Sequence, residues 1–130
     1  MSCEFQKDST MRDFRTLKVW EKAHEFTLRI YRRTAVFPSD ERFGLILQMR
    51  RVAAAIPMAI SNAAATADDA DFARQFQVAI RSSSEMEYQL ILARDLGYLT
   101  ADEEKEFGTA IVEVRKMLIG YSQKLRTHDS

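Results

Sequence analysis

The sequence predicts an all-α fold, an antiparallel up-down-up-down four-helix bundle. The chain of 130 residues contains only four glycines and two prolines, so residues that interrupt helices are rare. Apolar residues recur at spacings of three and four in four separate segments, which is the period of a helix with one buried face. Only a few residues join successive segments, and short connections between long helices make neighbouring helices antiparallel.

The length of the chain predicts a single domain. We assign residues 14–126 to the bundle, because the helical pattern extends over that range. Residues 1–13 are expected to form a flexible N-terminal tail, and residues 127–130 a frayed C-terminal tail. The single cysteine, Cys3, falls in the first tail, so an internal disulfide is impossible and no redox role is expected.

The first helix is predicted from about Thr16 to Val36. Its apolar stripe consists of Val19, Ala23, Phe26 and Ile30. The helix ends at Phe37-Pro38, because a residue before proline is disfavoured in the α region. Trp20 lies beside the stripe, and we expect it to be largely buried.

The second helix is predicted to begin at Ser39, a good N-cap residue. Asp40 and Glu41 follow, where negative charge complements the positive end of the helix dipole. The pattern continues to Ile60. Pro57 falls inside it, so we expect one lost backbone hydrogen bond and a kink nearby.

The third and fourth helices have clear boundary signals. The third is predicted to open near Asp68 or Asp69 and to end at Gly97, since glycine commonly follows the last helical turn. The fourth begins with a capping box, in which Thr100 and Glu103 each satisfy the backbone N–H of the other.

Two helices carry more apolar residues than one buried face needs. Runs of consecutive apolar residues occur at 45–47 and 52–56 in the second helix and at 90–93 in the third. Successive helical positions lie about 100° apart, so such runs cannot all face one core. A four-helix bundle has no central helix, and we therefore favour self-association over a scattering of exposed apolar side chains.

Charge and hydropathy limit the possible partners. The net charge is zero, with 19 basic and 19 acidic side chains, whereas a dedicated nucleic-acid-binding domain is usually basic. Residues 1–60 hold 11 basic and 7 acidic side chains, which leaves room for a basic face. No segment reaches the about 18 apolar residues of a membrane span, and the start lacks the apolar core of a secretory signal. We expect no membrane partner and a cytoplasmic location.

The strongest enzyme hypothesis is a di-iron carboxylate site in the bundle. Glu21 and His24 have the Glu-x-x-His spacing that such sites use. The chemistry needs a second motif of this kind and two further glutamates, but the only other histidine is His128 in the C-terminal tail. His24 also misses the apolar stripe. We therefore expect no metal, no cofactor and no enzymatic activity.

Four basic residues of the first helix form a candidate nucleic-acid contact. Lys18, Lys22, Arg29 and Arg33 fall within about 60° of one another at 100° per residue, and we place them opposite the apolar stripe. They could contact a phosphate backbone. The alternative is a solvated face with local ion pairs, because Glu25 lies four residues before Arg29.

A second group of charged residues joins two helices. Glu85 and Glu87 of the third helix, with Arg50 and Arg51 of the second, predict a partly buried pair that fixes helix register. The alternative, two carboxylates for acid–base catalysis, has no cleft signal to support it.

Three sequence features resemble a known family. They are Val19-Trp20, Gln48-x-Arg50-Arg51 followed by Ile56-Pro57, and Ala93-x-Asp95-Leu96-Gly97-Tyr98. From about Phe14 to Leu125 the chain resembles the four-helix bundle proteins encoded in intervening sequences of bacterial large ribosomal RNA genes. The accessory variability proteins of diversity-generating retroelements are similar to this group. The chain departs from the family pattern after Pro57, where a Glu-Gly pair is missing, and at 66–71, which is acidic.

The resemblance implies a bundle assembled as a homo-oligomeric ring, typically a homopentamer. It also implies a non-enzymatic role, with RNA or a nucleic-acid-handling protein as the partner. The alternative function is a protein–protein adaptor or scaffold ring that has no nucleic-acid role.

Overall fold

The computed structural model describes residues 13–129, and side chains within residues 13–124. The four α-helices are α1 (Lys18–Thr34), α2 (Leu45–Ala64), α3 (Asp69–Asp95) and α4 (Ala101–Asp129), with short 3-10 turns at Phe14–Thr16 and Ser39–Glu41. No strand occurs in the described part of the chain. The all-α four-helix bundle is therefore confirmed. Cys3 and nearly all of the predicted N-terminal tail lie outside the described residues.

The helices pack in sequence order, and α1 closes the bundle against α4. Each helix contributes fully buried side chains to one shared core. The largest are Phe26 and Ile30 of α1, Met49, Ile56 and Ile60 of α2, Phe76, Met86 and Leu90 of α3, and Ile111 and Leu118 of α4. This single core supplies the apolar burial that the helical spacing of these residues predicts.

The ends of α1 and α4 differ slightly from the prediction. α1 begins and ends two residues inside the expected range. Trp20 is only partly buried, at the edge of the core, where its ring stacks on His24 and meets Phe14 edge-on with centroids 4.9 Å and 5.1 Å away. α4 continues to Asp129, so its helical backbone extends past residue 127, where we expected fraying.

α2 begins six residues later than the predicted start at Ser39. Ser39 opens only a 3-10 turn, and Gly44 then leaves the helical region at φ −109° and ψ −112°. The Glu41 carboxylate accepts a hydrogen bond from the Leu45 N–H at 3.1 Å and so satisfies one free donor of the new helix. The same carboxylate accepts from the Tyr98 hydroxyl at 2.8 Å, and these two bonds lower its pKa.

Pro57 lies inside α2 and is buried, and α2 is nevertheless one helix in the structure. Proline has no N–H, so the carbonyl of Ala53, four residues earlier, loses its usual helical donor. The hydroxyl of Thr27 on α1 lies 3.0 Å from that carbonyl oxygen and 2.9 Å from the carbonyl oxygen of Ala23. A side chain of the neighbouring helix therefore compensates for the lost backbone bond.

The connection between α3 and α4 has the predicted geometry. Gly97 adopts φ +86°, and the N–H groups of Gly97 and Tyr98 donate to Arg94 and Ala93 at 2.9 Å each. Thr100 and Glu103 then exchange side-chain to backbone bonds of 3.0 Å and 2.9 Å. The predicted helix end and capping box are both confirmed.

Candidate nucleic-acid interface

Three of the four basic residues of α1 contact α4, rather than pointing away from the core: Lys22, Arg29 and Arg33. The Lys22 ammonium lies 3.8 Å from the Glu113 carboxylate, and the Arg29 guanidinium lies 4.9 Å from the centroid of the Phe107 ring. Lys18 is exposed. At 100° per residue this row lies about 80° from the centre of the apolar stripe, so it flanks the buried face, beside Glu103 and Glu113 of α4. The placement opposite the apolar stripe was wrong.

Arg33, the last residue of that row, forms the most specific of these contacts. Its guanidinium donates to both carboxylate oxygens of Glu103 at 2.9 Å each and to the Tyr98 carbonyl at 3.0 Å. The Arg33 bonds and the Thr100 N–H lower the pKa of Glu103 to about 2. Arg33 therefore joins the end of α1 to the start of α4, and a phosphate would have to compete with a bidentate carboxylate.

The predicted charge group of α2 and α3 does not come together. Arg50 points toward α1, where its guanidinium donates to the Thr34 hydroxyl at 2.9 Å and to the Tyr31 carbonyl at 3.0 Å. Glu87 points toward α4 and accepts from Arg115 at 2.7 Å. Arg51 and Glu85 are exposed. The two helices present these residues on different sides, so Arg50 binds α1 and Glu87 binds α4.

A second cationic surface lies where α1 ends and α2 begins. Arg42 and Arg50 line a cavity of about 290 Å³, together with Thr34, Ala35, Phe37, Ser39 and Ile46. None of these lining residues carries a carboxylate. Within residues 13–124, neither arginine forms an ion pair. The positive charge of each guanidinium is therefore not neutralised by a carboxylate in direct contact.

Two exposed aromatic rings lie beside these arginines. Phe43 is 84% exposed, and the Arg42 guanidinium is 5.5 Å from its ring centroid. Tyr31 is 44% exposed, and the Arg50 guanidinium is 4.7 Å from its centroid. We call Tyr31, Arg42, Phe43 and Arg50 the arginine–aromatic surface. Sequence reasoning missed it because it placed Arg42 and Phe43 within a helix, although the Arg-Phe-Gly triplet at 42–44 was a usable signal.

The apolar excess of the second and third helices is found at the surface. A groove of about 400 Å³ between α2 and α3 is lined by Leu45, Gln48, Val52, Glu85, Tyr88, Gln89 and Leu92. Met58 and Tyr88 are 60% and 62% exposed on these two helices. The side-chain oxygen of Gln89 is buried there without a hydrogen-bond partner.

The described residues contain no cluster of three or more acidic, histidine or cysteine side chains able to hold a metal ion. His24 is exposed and stacks on Trp20. No helix in the described part of the chain is long and apolar enough to cross a membrane.

The chain is similar to a protein family and to a solved structure. A family model described as 23S rRNA-intervening sequence protein matches residues 15–120. A solved structure, of a protein of unknown function from the S23 ribosomal protein family of Bacteroides thetaiotaomicron, is similar with a TM-score of 0.75 and 25% sequence identity, covering 81% of this chain and 95% of that chain. No curated protein matches this chain.

Proposed function

Because the chain belongs to the 23S rRNA-intervening sequence protein family, we propose that it is a non-enzymatic, self-associating accessory protein that binds RNA weakly. The name of the family and that of the similar solved structure both refer to ribosomal components. The proposed self-association takes the form of a homo-oligomeric ring, a homopentamer by resemblance. RNA is the proposed partner, bound through cationic side chains on the bundle surface.

The unneutralised arginines at the α1–α2 junction carry this proposal. A guanidinium without a carboxylate partner keeps N–H donors that match phosphate geometry. Arg42 and Arg50 line one cavity that has no acidic lining residue. The row of Lys18, Lys22 and Arg29 on α1 is a second proposed contact, with weaker support because the Glu113 carboxylate of α4 lies 3.8 Å from the Lys22 ammonium.

The test is fluorescence anisotropy of a labelled RNA with stem and loop segments, titrated at low and at fourfold higher salt. About three phosphate contacts would lower the affinity about 20-fold across that change, because each contact releases counterions. No binding at low salt would contradict the RNA-binding function.

A double variant tests the contribution of the α1 row to RNA binding in the same titration. Lys18→Gln combined with Arg29→Gln should weaken RNA binding several-fold, since two cations are lost. Arg33 stays unchanged, because its substitution would also break the contact with Glu103. Lys105→Gln with Lys116→Gln, two exposed residues of α4, is the matched control. Equal affinities of the two double variants would remove the α1 row as a contact.

A protein–protein adaptor is the second candidate function, and the groove between α2 and α3 favours it. The groove is mainly apolar, and an exposed apolar groove commonly binds a protein partner. An oligomer that binds no RNA in the titration would favour this function over the first.

A further inference from the structure

We infer that the arginine–aromatic surface is a site for single-stranded RNA, in which Arg42 and Arg50 hold a phosphate and Phe43 stacks on an unpaired base. This inference rests on the proposed RNA-binding function and specifies the form of RNA and the residues that bind it. It differs from the α1 row, which faces α4 on the other side of α1.

Arg50 is positioned for a phosphate before any ligand binds. Its Nε donates to the Thr34 hydroxyl, and its Nη2 donates to the Tyr31 carbonyl, so two bonds fix the guanidinium plane. The group has five N–H donors, and those on Nη1 remain for an anion. Because the side chain is already ordered, binding loses little side-chain entropy.

Arg42 supplies the second positive charge of the same cavity. Its guanidinium lies against one face of Phe43, and no carboxylate of the described residues pairs with it. Ser39 also lines the cavity, and Phe37 is a buried apolar wall. Two arginines around a space of about 290 Å³ suit one phosphate group.

Phe43 gives the surface its preference for unpaired bases. The ring is 84% exposed, the largest value among the exposed large hydrophobic residues of the described chain. With Arg42 on one face, the other face is open for a base, and stacking accepts any of the four bases. Bases inside a duplex are stacked on one another and cannot reach such a ring, so the geometry favours single strands.

The experiment measures anisotropy of a short unstructured RNA and of the duplex formed with its complement. Phe43→Ala should lower the affinity for the single strand on the order of tenfold and leave duplex binding unchanged. Arg42→Gln should lower the slope of log affinity against log salt by about 0.7, the value for one phosphate of a single strand. Val36→Ala, at another exposed apolar residue of the α1–α2 connection, is the matched control and should behave as the parent chain.

The outcomes separate this inference from the function on which it rests. If the parent chain binds neither RNA, both fail. If it binds RNA and both variants bind as tightly as the parent, the inference fails alone. Sedimentation velocity of Phe43→Ala completes the test: a loss of assembly would make the surface a contact between copies and overturn the inference. Unchanged assembly with weakened single-strand binding supports it.

Discussion

Glu103 serves two structural purposes with one carboxylate. It closes the capping box with Thr100 at the start of α4 and also binds the Arg33 guanidinium at the end of α1. Both contacts favour the ionised carboxylate, which is why the pKa of Glu103 falls to about 2. The negative charge also lies in the first turn of α4, where the helix dipole stabilises it.

We predict that Glu103 makes the free energy of unfolding depend on pH in the acidic range. Its folded pKa is depressed from an ordinary value of 4.5 to about 2, so its contribution is present above pH 4.5 and is lost as the pH falls toward 2. In Glu103→Gln, the free energy of unfolding should therefore fall less over this window than in the parent. Urea unfolding at a series of pH values between 4.5 and about 2 measures this difference in the free energy of unfolding.

Glu106→Gln provides the control for that acid titration. Glu106 is an exposed residue of α4 that forms no ion pair in the described part of the chain. It should keep the pH dependence of the parent. Identical pH dependence in Glu103→Gln and the parent would contradict the assignment of Glu103.

Local spacing explains which residue contacts the sequence could predict. The Thr100–Glu103 box spans three residues, so the pattern reveals it directly. Arg33 and Glu103 are 70 residues apart, and only packing of α1 on α4 brings them together. The same limit applies to Glu87 and Arg115, which are 28 residues apart and replace the pair that we expected.

At the scale of elements, helix ends depend on a few residues with special backbone geometry. Gly97 adopts φ +86°, which residues with a side chain rarely adopt, and no atom would obstruct a Cβ there. Gly120 lies within α4, where a Cβ would also meet open space but the backbone has ordinary helical geometry. The two glycines therefore separate the effect of backbone conformation from that of steric space.

We predict opposite effects for alanine at these two positions. Gly97→Ala should destabilise the protein by about 1–2 kcal/mol, because a Cβ is strained in the left-handed region. Gly120→Ala should stabilise it by about 0.5–1 kcal/mol, since alanine loses less backbone entropy in a helix. Urea unfolding of both variants measures the difference, and effects of the same sign would contradict this explanation.

The helices were predictable in number and order, but one helix start and one contact between helices were not. Ser39, Asp40 and Glu41 satisfy the N-cap pattern, yet Gly44 interrupts the chain before α2 and Glu41 satisfies the Leu45 N–H instead. Likewise, the spacing of Lys22 and Arg29 placed them together on α1. The same spacing sets them about 80° from the centre of the apolar stripe, so their position beside the buried face was predictable, whereas their contact with α4 depends on packing.

At the scale of the whole molecule, the surface between α2 and α3 remains apolar after the core is filled. Leu47, Met58, Tyr88 and Ile91 on these two helices are each more than a third exposed, and Tyr88 lines the groove. An exposed apolar groove of this kind commonly marks an interface. It explains why the sequence carries runs of apolar residues longer than one buried face requires.

We predict that this surface mediates self-association. Tyr88→Glu places a charge in the groove and should shift the protein to smaller species, with the dissociation constant raised at least about tenfold. Tyr88 is 62% exposed, so the fold of the subunit should persist. Light scattering after size-exclusion chromatography measures the mass. Val36→Glu, at a residue 72% exposed elsewhere, is the control. A monomeric parent, or unchanged mass in Tyr88→Glu, would contradict the prediction.

The bond between Thr27 and Ala53 also determines how α1 can align with α2. The Ala53 carbonyl is fully buried, and Pro57 deprives it of its own helical donor. If α1 shifted along α2 by one turn, the Ala53 carbonyl oxygen would remain buried without a hydrogen-bond donor. The free energy of folding would become less favourable by about 1–3 kcal/mol. Slipped alignments would bury apolar surface too, but only one places a hydroxyl at the gap. The N–H that Pro57 lacks and the hydroxyl of Thr27 together select one register of α1 against α2.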